Sequence, residues 1–500
     1  MKRSKFSLSH SKLLTCDLGE LVPVGLMEVL PGDSIQLSTA ALLRCQALLA
    51  PVMHPVSVRI HHWFVPHRLV MDDFESFITG GPDGMDATVW PTITFPTGVL
   101  AGSLADYLGV PPTGASITVS ALPLRGYARI FNEWYRDQDL QTPLVISTAS
   151  GPDTTTSTAL QNIGWEKDYF SSARPWEQKG PQVSIPLVGN APVTGIGWAN
   201  VSATVGTSPT LRDTKLGTST YAPSYWQLSS GSGGVGGPFY MKGATASGST
   251  MPDVKADLSG VSAVTVNSLR QALAIQRFEE ARARYGSRYS EYLLSLGIRS
   301  SDARLQRPEY LGGGRQTIQF SEVLQTAEGE NPVGEMRGHG IAALRSNRFR
   351  RFFEEHGYVF TLLSVRPKSI YANGLFRHWN RRTKTDFWQR ELQHIGQQPI
   401  LNKEVYGAHA TPEGTFGYQD RYDEYRRMES SIAGDFRNTL DFWHFARIFA
   451  TSPALNSSFV SCVPAERPFA VPSEDVLLIN ARHNCQARRL VASTGASFIF

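Results

Sequence analysis

Cysteine is scarce, charge is low and no long apolar run occurs, and each shortage closes a class of protein. Cys16, Cys45, Cys462 and Cys485 stand singly. No C-x-x-C spacing brings thiolates to one metal, so reduced thiols in an intracellular product are expected. No apolar run approaches the roughly 20 residues of a membrane span. The basic start, MKRSKFSLSHSK, has no apolar core after it, so a soluble chain without membrane insertion or a secretion signal is expected. A G-K-[ST] phosphate loop, a G-x-S-x-G elbow and an H-E-x-x-H helix are all missing. Residues 231–236 fit G-x-G-x-x-G, but Pro238 and a Gly/Ser/Thr run follow. That leaves no helix N-terminus to hold a pyrophosphate. No catalytic residue, metal ligand or cofactor site is assigned.

What is present is punctuation. The 500 residues hold 44 Gly and 30 Pro between short apolar runs, and only 18% are charged. This pattern argues for a mainly β protein with long loops, either as two or three domains or as one domain with large insertions. Net charge is only +4, unevenly placed. Residues 1–250 hold 16 Lys+Arg against 18 Asp+Glu, and residues 251–500 hold 32 against 26, with 28 of the 32 being Arg. Arginine's planar fork suits phosphate, bases and dense intersubunit pairing alike. A total of +4 is too little to neutralise a long nucleic acid unaided, so a nucleic-acid reading would need a second basic component.

Residues 1–20 read as a basic, Ser-rich arm ordered by a neighbour. Strands follow at 21–30, 34–49 and 53–65, the first two separated by a Pro31-Gly32-Asp33 turn. In the third, Val56, Val58, Ile60 and Phe64 alternate with Ser57, Arg59, His61 and Trp63, as in a half-buried strand. A helix is expected from Pro123 to about Arg136. Residues 183–264 are rich in Gly, Ser, Thr and Ala, with Trp198, Tyr225, Trp226 and Tyr240 among their aromatic anchors, and read as a loop-rich insertion. A second helix is expected over 267–285, closed by Gly286, with Ala274, Phe278, Ala281 and Tyr285 on a buried stripe. Arg270, Arg277 and Arg284 recur seven apart on another stripe, which must reach solvent, a neighbouring subunit or an anion. A short helix over 290–296 stops at Gly297, and Gly312–Gly314 read as a turn before a strand carrying Ile318 and Phe320. The continuous apolar run 358–365 fits a strand covered on both faces, and 475–490 a last strand.

His54, His61, His62 and His67 are the densest histidine group, but His61 and His62 point to opposite faces. His54 lies roughly 26 Å from His62 along an extended strand, so core or interface imidazoles are expected instead of a metal site. Two basic aromatic clusters carry the sharper hypothesis. Arg345, Arg348, Arg350 and Arg351 flank Phe349 and Phe352; Arg377, Trp379, Arg381, Arg382 and Lys384 form the other. Both have the composition of a single-strand platform, in which cations follow phosphates and rings stack on bases. Intersubunit pairing around core aromatics is the more ordinary use of such clusters, and the two readings stand together.

Several ordered runs resemble one family. FVPHRLV (64–70), LPLRGYARIFNEWYRDQDLQ (122–141), the run from Ser268 through the Gly312–Gly314 triplet, EHGYVFTLLSVRP (355–367), HIGQQPILNKEVY (394–406), FGYQDRYDEYR (416–426) and LDFWH (440–444) look like segments of the major capsid protein of microviruses, most closely the gokushovirus type. The run 169–181 departs by having Glu177 where that family has a second Pro, and the end of the chain matches less well. The resemblance implies an eight-stranded antiparallel jelly roll with long helical and loop insertions, formed by 21–182 and 265–500, with 183–264 as a surface protrusion. It implies a non-enzymatic coat protein that self-assembles in the bacterial host cytoplasm into a T=1 icosahedral virion around circular single-stranded DNA. The implied partners are a small basic DNA-binding protein, an internal scaffolding protein, a DNA pilot protein and a host surface receptor. From other classes, a glycan-binding or glycan-active β-protein and a single-stranded DNA-binding protein are the alternatives.

Overall fold

The computed structural model describes residues 3–181, 183, 266–286, 288–327 and 332–493; between 183 and 266 it describes only six short strand segments. Among the described residues the two main sheets, of seven and four strands, include β1 (His10–Cys16), β2 (Leu21–Val29), β3 (Ser34–Cys45), β4 (Val56–Pro66), β5 (Glu309–Thr317), β6 (Met336–Arg345), β7 (Gly357–Pro367) and β8 (Leu477–Arg489). Both sheets are antiparallel. One runs β1-β8-β3-β6, extended beyond β6 by Gln319–Leu324, with Ser4–Ser7 also along β8 and Phe349–Phe352 along β3. The other runs β2-β7-β4-β5. The protein is therefore mainly β. The chain divides into two compact units, Met1–Lys179 with Glu280–Phe500, and Gly180–Glu279.

Alternation in sequence becomes layering in space. Val22 and Val24 of β2, Val56, Val58 and Ile60 of β4, and Leu363 and Val365 of β7 pack against Ala41 and Leu43 of β3, Ala342 and Leu344 of β6, and Ile479 and Ala481 of β8. The far face of the second sheet is also covered. Trp63, Val65, Phe360 and Leu362 meet helix α1 (Leu122–Ile130) through Leu122, Leu124, Tyr127 and Ile130. So β4 is buried on both faces near its end, where alternation alone predicted one. Gly126 lets α1 sit close to β7, since a Cβ there would come within 2.6 Å of the Phe360 ring. A further cluster, including Tyr169, Phe170, Tyr371, Ile400, Phe416 and Phe459, underlies the loops after β7.

Polar side chains also lie between the sheets. His62 bonds Thr361 and Ser346, each at 3.0 Å, and the Ser346 hydroxyl accepts the Thr39 amide at 2.8 Å. The Thr39 hydroxyl meets His483 Nδ1 at 2.9 Å, and His483 Nε2 donates to the Val24 carbonyl at 3.0 Å. This chain of bonds satisfies groups whose burial would otherwise be costly.

Three expectations are corrected. Residues 10–16 belong to the first sheet as β1, because their backbone pairs with β8 from Cys16 opposite Leu477 to His10 opposite His483. Gly312–Gly314 lie inside β5 instead of forming a turn. A Cβ at Gly313 would sit 2.3 Å from the Ile60 carbonyl, and one at Gly314 would sit 2.9 Å from that of Arg345, so close backbone approach explains the glycines. Helix α2 (Val266–Tyr285) forms, but its predicted stripe is not its buried one. Phe278 and Tyr285 are more than half exposed, whereas Glu279 and Ala283 are buried. Periodicity finds an apolar stripe without saying what covers it. The four histidines, expected as core or interface imidazoles, are each engaged separately: His54 with the Lys368 carbonyl, His61 with the Tyr135 hydroxyl, His62 in the polar chain and His67 against Phe74.

Candidate nucleic-acid interface

The sheet β1-β8-β3-β6 turns one face to the core and leaves the other open. In β8, Ala481, His483, Cys485 and Ala487 point inward, so Arg482, Asn484 and Arg488 point out. In β3, Ala40, Leu42 and Arg44 are outward, and in β6, Ala343 and Arg345. Register then assembles a basic surface. Ala40 stands opposite Arg482 on one side and Arg345 on the other, which puts the two arginines about 10 Å apart, two strand spacings. Arg350 stands opposite Gln36, and Arg488 opposite Ser34. Arg44, Arg345, Arg350, Arg482 and Arg488 are all exposed, and none makes an ion pair among the described residues. Between Arg345 and Arg482 runs an open groove of about 680 Å³, lined by Ala40, Ala343, Leu42 and Asn480. Small side chains there leave room for a ligand to approach the strands.

The structure divides the first sequence cluster. Arg345 and Arg350 lie on this open face, and Arg348 donates to the Gln36 amide oxygen at 2.7 Å. Arg351 instead bonds Glu309 at 2.7 Å. Phe349 is buried, while Phe352 is half exposed beneath the guanidinium of Arg3 at 5.5 Å.

The second cluster lies in the loops after β7. Arg377 bonds Glu404 at 3.0 Å and lies 3.6 Å from Glu424, and Arg381 lies 3.5 Å from Glu424. Burial pushes the Glu404 carboxyl upward, while Arg377 beside it pulls it down. Arg377 and Arg381 are thus engaged inside the chain, whereas Trp379, Arg382 and Lys384 are exposed. Of the helical arginines, Arg284 bonds Asp420 at 3.1 Å in the same chain, while Arg270 and Arg277 are exposed. Backbone register sets Trp198 opposite Leu211, Tyr225 opposite Lys242, Trp226 opposite Met241, and Gln227 opposite Tyr240. The side chains of those four insertion aromatics lie outside the described residues.

Arg44, Arg482 and Arg488 were missed by sequence reasoning. The signal was present as alternation over 477–489 and, for Arg44, over 39–45. Among the described residues no His/Cys/Asp/Glu group could hold a metal ion, and no helix is long and apolar enough to cross a membrane.

Two antiparallel sheets with insertions and an open arginine-bearing face describe a structural protein of the coat class. The chain belongs to the capsid protein (F protein) family, whose model matches residues 1–499. It is similar to capsid protein VP1 of Bdellovibrio phage phiMH2K, with 36% identity covering 95% of this chain and 90% of that protein. It is also similar to capsid protein VP1 of Chlamydia phage 1, at 35% identity over 95% and 92% of the two chains, and to capsid protein VP1 of Spiroplasma virus 4, at 32% over 92% and 87%. It is thus a bacteriophage capsid protein of the microvirus kind, as its motifs implied. Membership in this family carries a structural, non-enzymatic role, self-assembly and residence in the virion.

Proposed function

We propose that the chain is a jelly-roll major capsid protein that closes a T=1 icosahedral shell around circular single-stranded DNA. The observation that carries this reading is the family match over residues 1–499. The jelly roll is supported by the strand orders 1-8-3-6 and 2-7-4-5, in which consecutive strands alternate between sheets except at β4 to β5, where the long central insertion intervenes. Many moderate contacts repeated by closed symmetry stabilise such a shell. The open face of β1-β8-β3-β6, with Arg44, Arg345, Arg348, Arg350, Arg482 and Arg488, contacts the genome by charge. The net charge of +4 calls for a small basic DNA-binding protein beside it. An internal scaffolding protein and a DNA pilot protein complete assembly in the host cytoplasm. Arg270 and Arg277 meet neighbouring subunits, and the insertion, with its Trp and Tyr anchors, faces the host receptor.

The test is the assembly state of the expressed protein, alone and with the small proteins encoded beside it, by sedimentation and negative-stain microscopy. Uniform closed particles that retain DNA in a salt-sensitive way are expected. Replacing Arg345 and Arg482 with Ala should lower the slope of log affinity against log salt by about 0.7 for each phosphate no longer neutralised. A monomer under every condition would refute the reading.

A further inference from the structure

We propose that the cavity behind Trp379 receives an unstacked base of single-stranded DNA, a subsite that rests on the genome-binding reading above. The cavity has a volume of about 840 Å³, and its walls include Phe170, Tyr371, Phe376, Trp379, Tyr425 and Met428. Its lining mixes these rings with arginines, glutamates and small residues, and the rings offer aromatic surface to a flat ligand.

Three of the rings follow one another: Phe376 and His378 lie within 13° of parallel at 5.7 Å, and Trp379 is tilted by 40° from His378 at 5.2 Å. Trp379 ends this ladder at the surface, 69% exposed. On the same lining, the Arg381 guanidinium lies 4.2 Å from the Tyr425 ring centre, and 5.7 Å from that of Phe387. This packing fixes Tyr425 while leaving it about half exposed. An exposed ring on the same lining as a braced one offers a platform for a base.

Charge selects the rest of the ligand. The lining holds Arg377, Arg381, Arg426, Arg427 and Arg437 against Glu404, Glu424 and Glu429. Each of the three carboxylates is engaged: Glu404 by Arg377, Glu424 by Gln398 at 2.7 Å and Glu429 by the Tyr169 amide at 3.1 Å. Arg426 and Arg427 lean on Asp423. With Asp423 counted beside the three glutamates, five arginines meet four carboxylates, a small positive excess that favours an anionic ligand over a cationic one. Arg382 and Lys384, exposed and in no ion pair among the described residues, lie a few residues beyond Trp379 and suit flanking phosphates. Tyr169, 3% exposed, also lines the cavity, with its hydroxyl beside the Arg377 guanidinium. A flat ring with a polar edge and an anionic tail is a nucleotide of a single strand.

The test compares the full-length chain and its Trp379→Ala and Trp379→Phe variants. Each is titrated with a short oligothymidylate and with an abasic strand of equal length. Trp379 is exposed, so the variants keep the fold, which circular dichroism checks. Removing one stacking ring predicts that Trp379→Ala binds oligothymidylate about 5- to 150-fold more weakly, equivalent to about 1–3 kcal/mol. Trp379→Phe should retain most of the affinity, and abasic binding should not change. Equal affinity of wild type and Trp379→Ala for oligothymidylate, while wild type still binds DNA, would overturn the base site and leave the coat reading standing. A wild-type chain that binds neither strand and forms no DNA-containing particle would take down that reading, and this site with it.

Discussion

Replacing Asp153 with Asn removes one charge from a pair sealed inside the protein. The side chains of Arg125 and Asp153 are both 0% exposed, with Nε and Oδ2 2.8 Å apart. Arg125 also donates to the carbonyls of Val70 and Ala149, each at 2.9 Å. Burial by itself would raise the Asp153 carboxyl, but the Thr156 hydroxyl and amide, Arg125 and the Thr155 amide hold it at about 2, against an ordinary 3.8. That depression contributes about 2 kcal/mol, fully present above the unfolded value near 4 and lost as pH falls through about 2. The substitution additionally strands the Arg125 cation, for a total loss of about 3–5 kcal/mol at pH 7. Urea unfolding followed by tryptophan fluorescence measures it, and below pH 4 the variant should show a shallower acid decline than wild type. Adding Arg125→Met should recover part of the loss, because no uncompensated charge then remains. A single variant within about 0.5 kcal/mol of wild type, or a double variant no better than the single, would refute the reasoning.

Two further predictions test the sandwich itself. Gly313→Ala forces a Cβ to 2.3 Å from the Ile60 carbonyl and should cost about 1–3 kcal/mol in thermal unfolding, whereas Gly114→Ala, with nothing within 4 Å, should change little. Burial holds His62 at about 3 and His483 at about 4, below the ordinary 6.5. Their contribution is complete above pH 6.5 and lost as pH falls through those values. The urea midpoint should therefore drop between about pH 6 and 4, less steeply in His62→Gln, and a flat profile would count against the buried polar chain.

The strands were legible where their side chains alternate in isolation. Val56, Val58 and Ile60 announced β4, and the unbroken apolar run of β7 announced cover on both faces. The triplet Gly312–Gly314 was misread because glycine marks both a turn and a close approach, and only the Ile60 and Arg345 carbonyls distinguish the two. The same ambiguity applies to α2, whose Phe278 and Tyr285 repeat at helical spacing yet lie at the surface of the single chain. For a protein that assembles, an exposed apolar stripe is a statement about neighbours as much as about the core.

Arginine shows why the site was harder to read than the fold. Arg377 and Arg345 stand in similar sequence surroundings, basic and aromatic, but their partners differ. Glu404 and Glu424 reach Arg377 from other segments of the chain, and no local pattern signals them. Arg345 sits on a strand, where pleating fixes its direction outward and register fixes its company as Ala40 and, beyond it, Arg482. Neither neighbour offers a carboxylate. A loop can fold an arginine back onto an acid, whereas a strand at an open sheet face holds it outward. The arginines free for a polyanion are therefore found by first assigning the strands and then asking which face each one leaves uncovered. Strands assigned first place Arg44, Arg482 and Arg488 on the open face, whereas Arg377 and Arg381 are taken up by Glu404 and Glu424. At the second cluster Trp379, Arg382 and Lys384 stay exposed, and these are the groups on which the proposed base site rests.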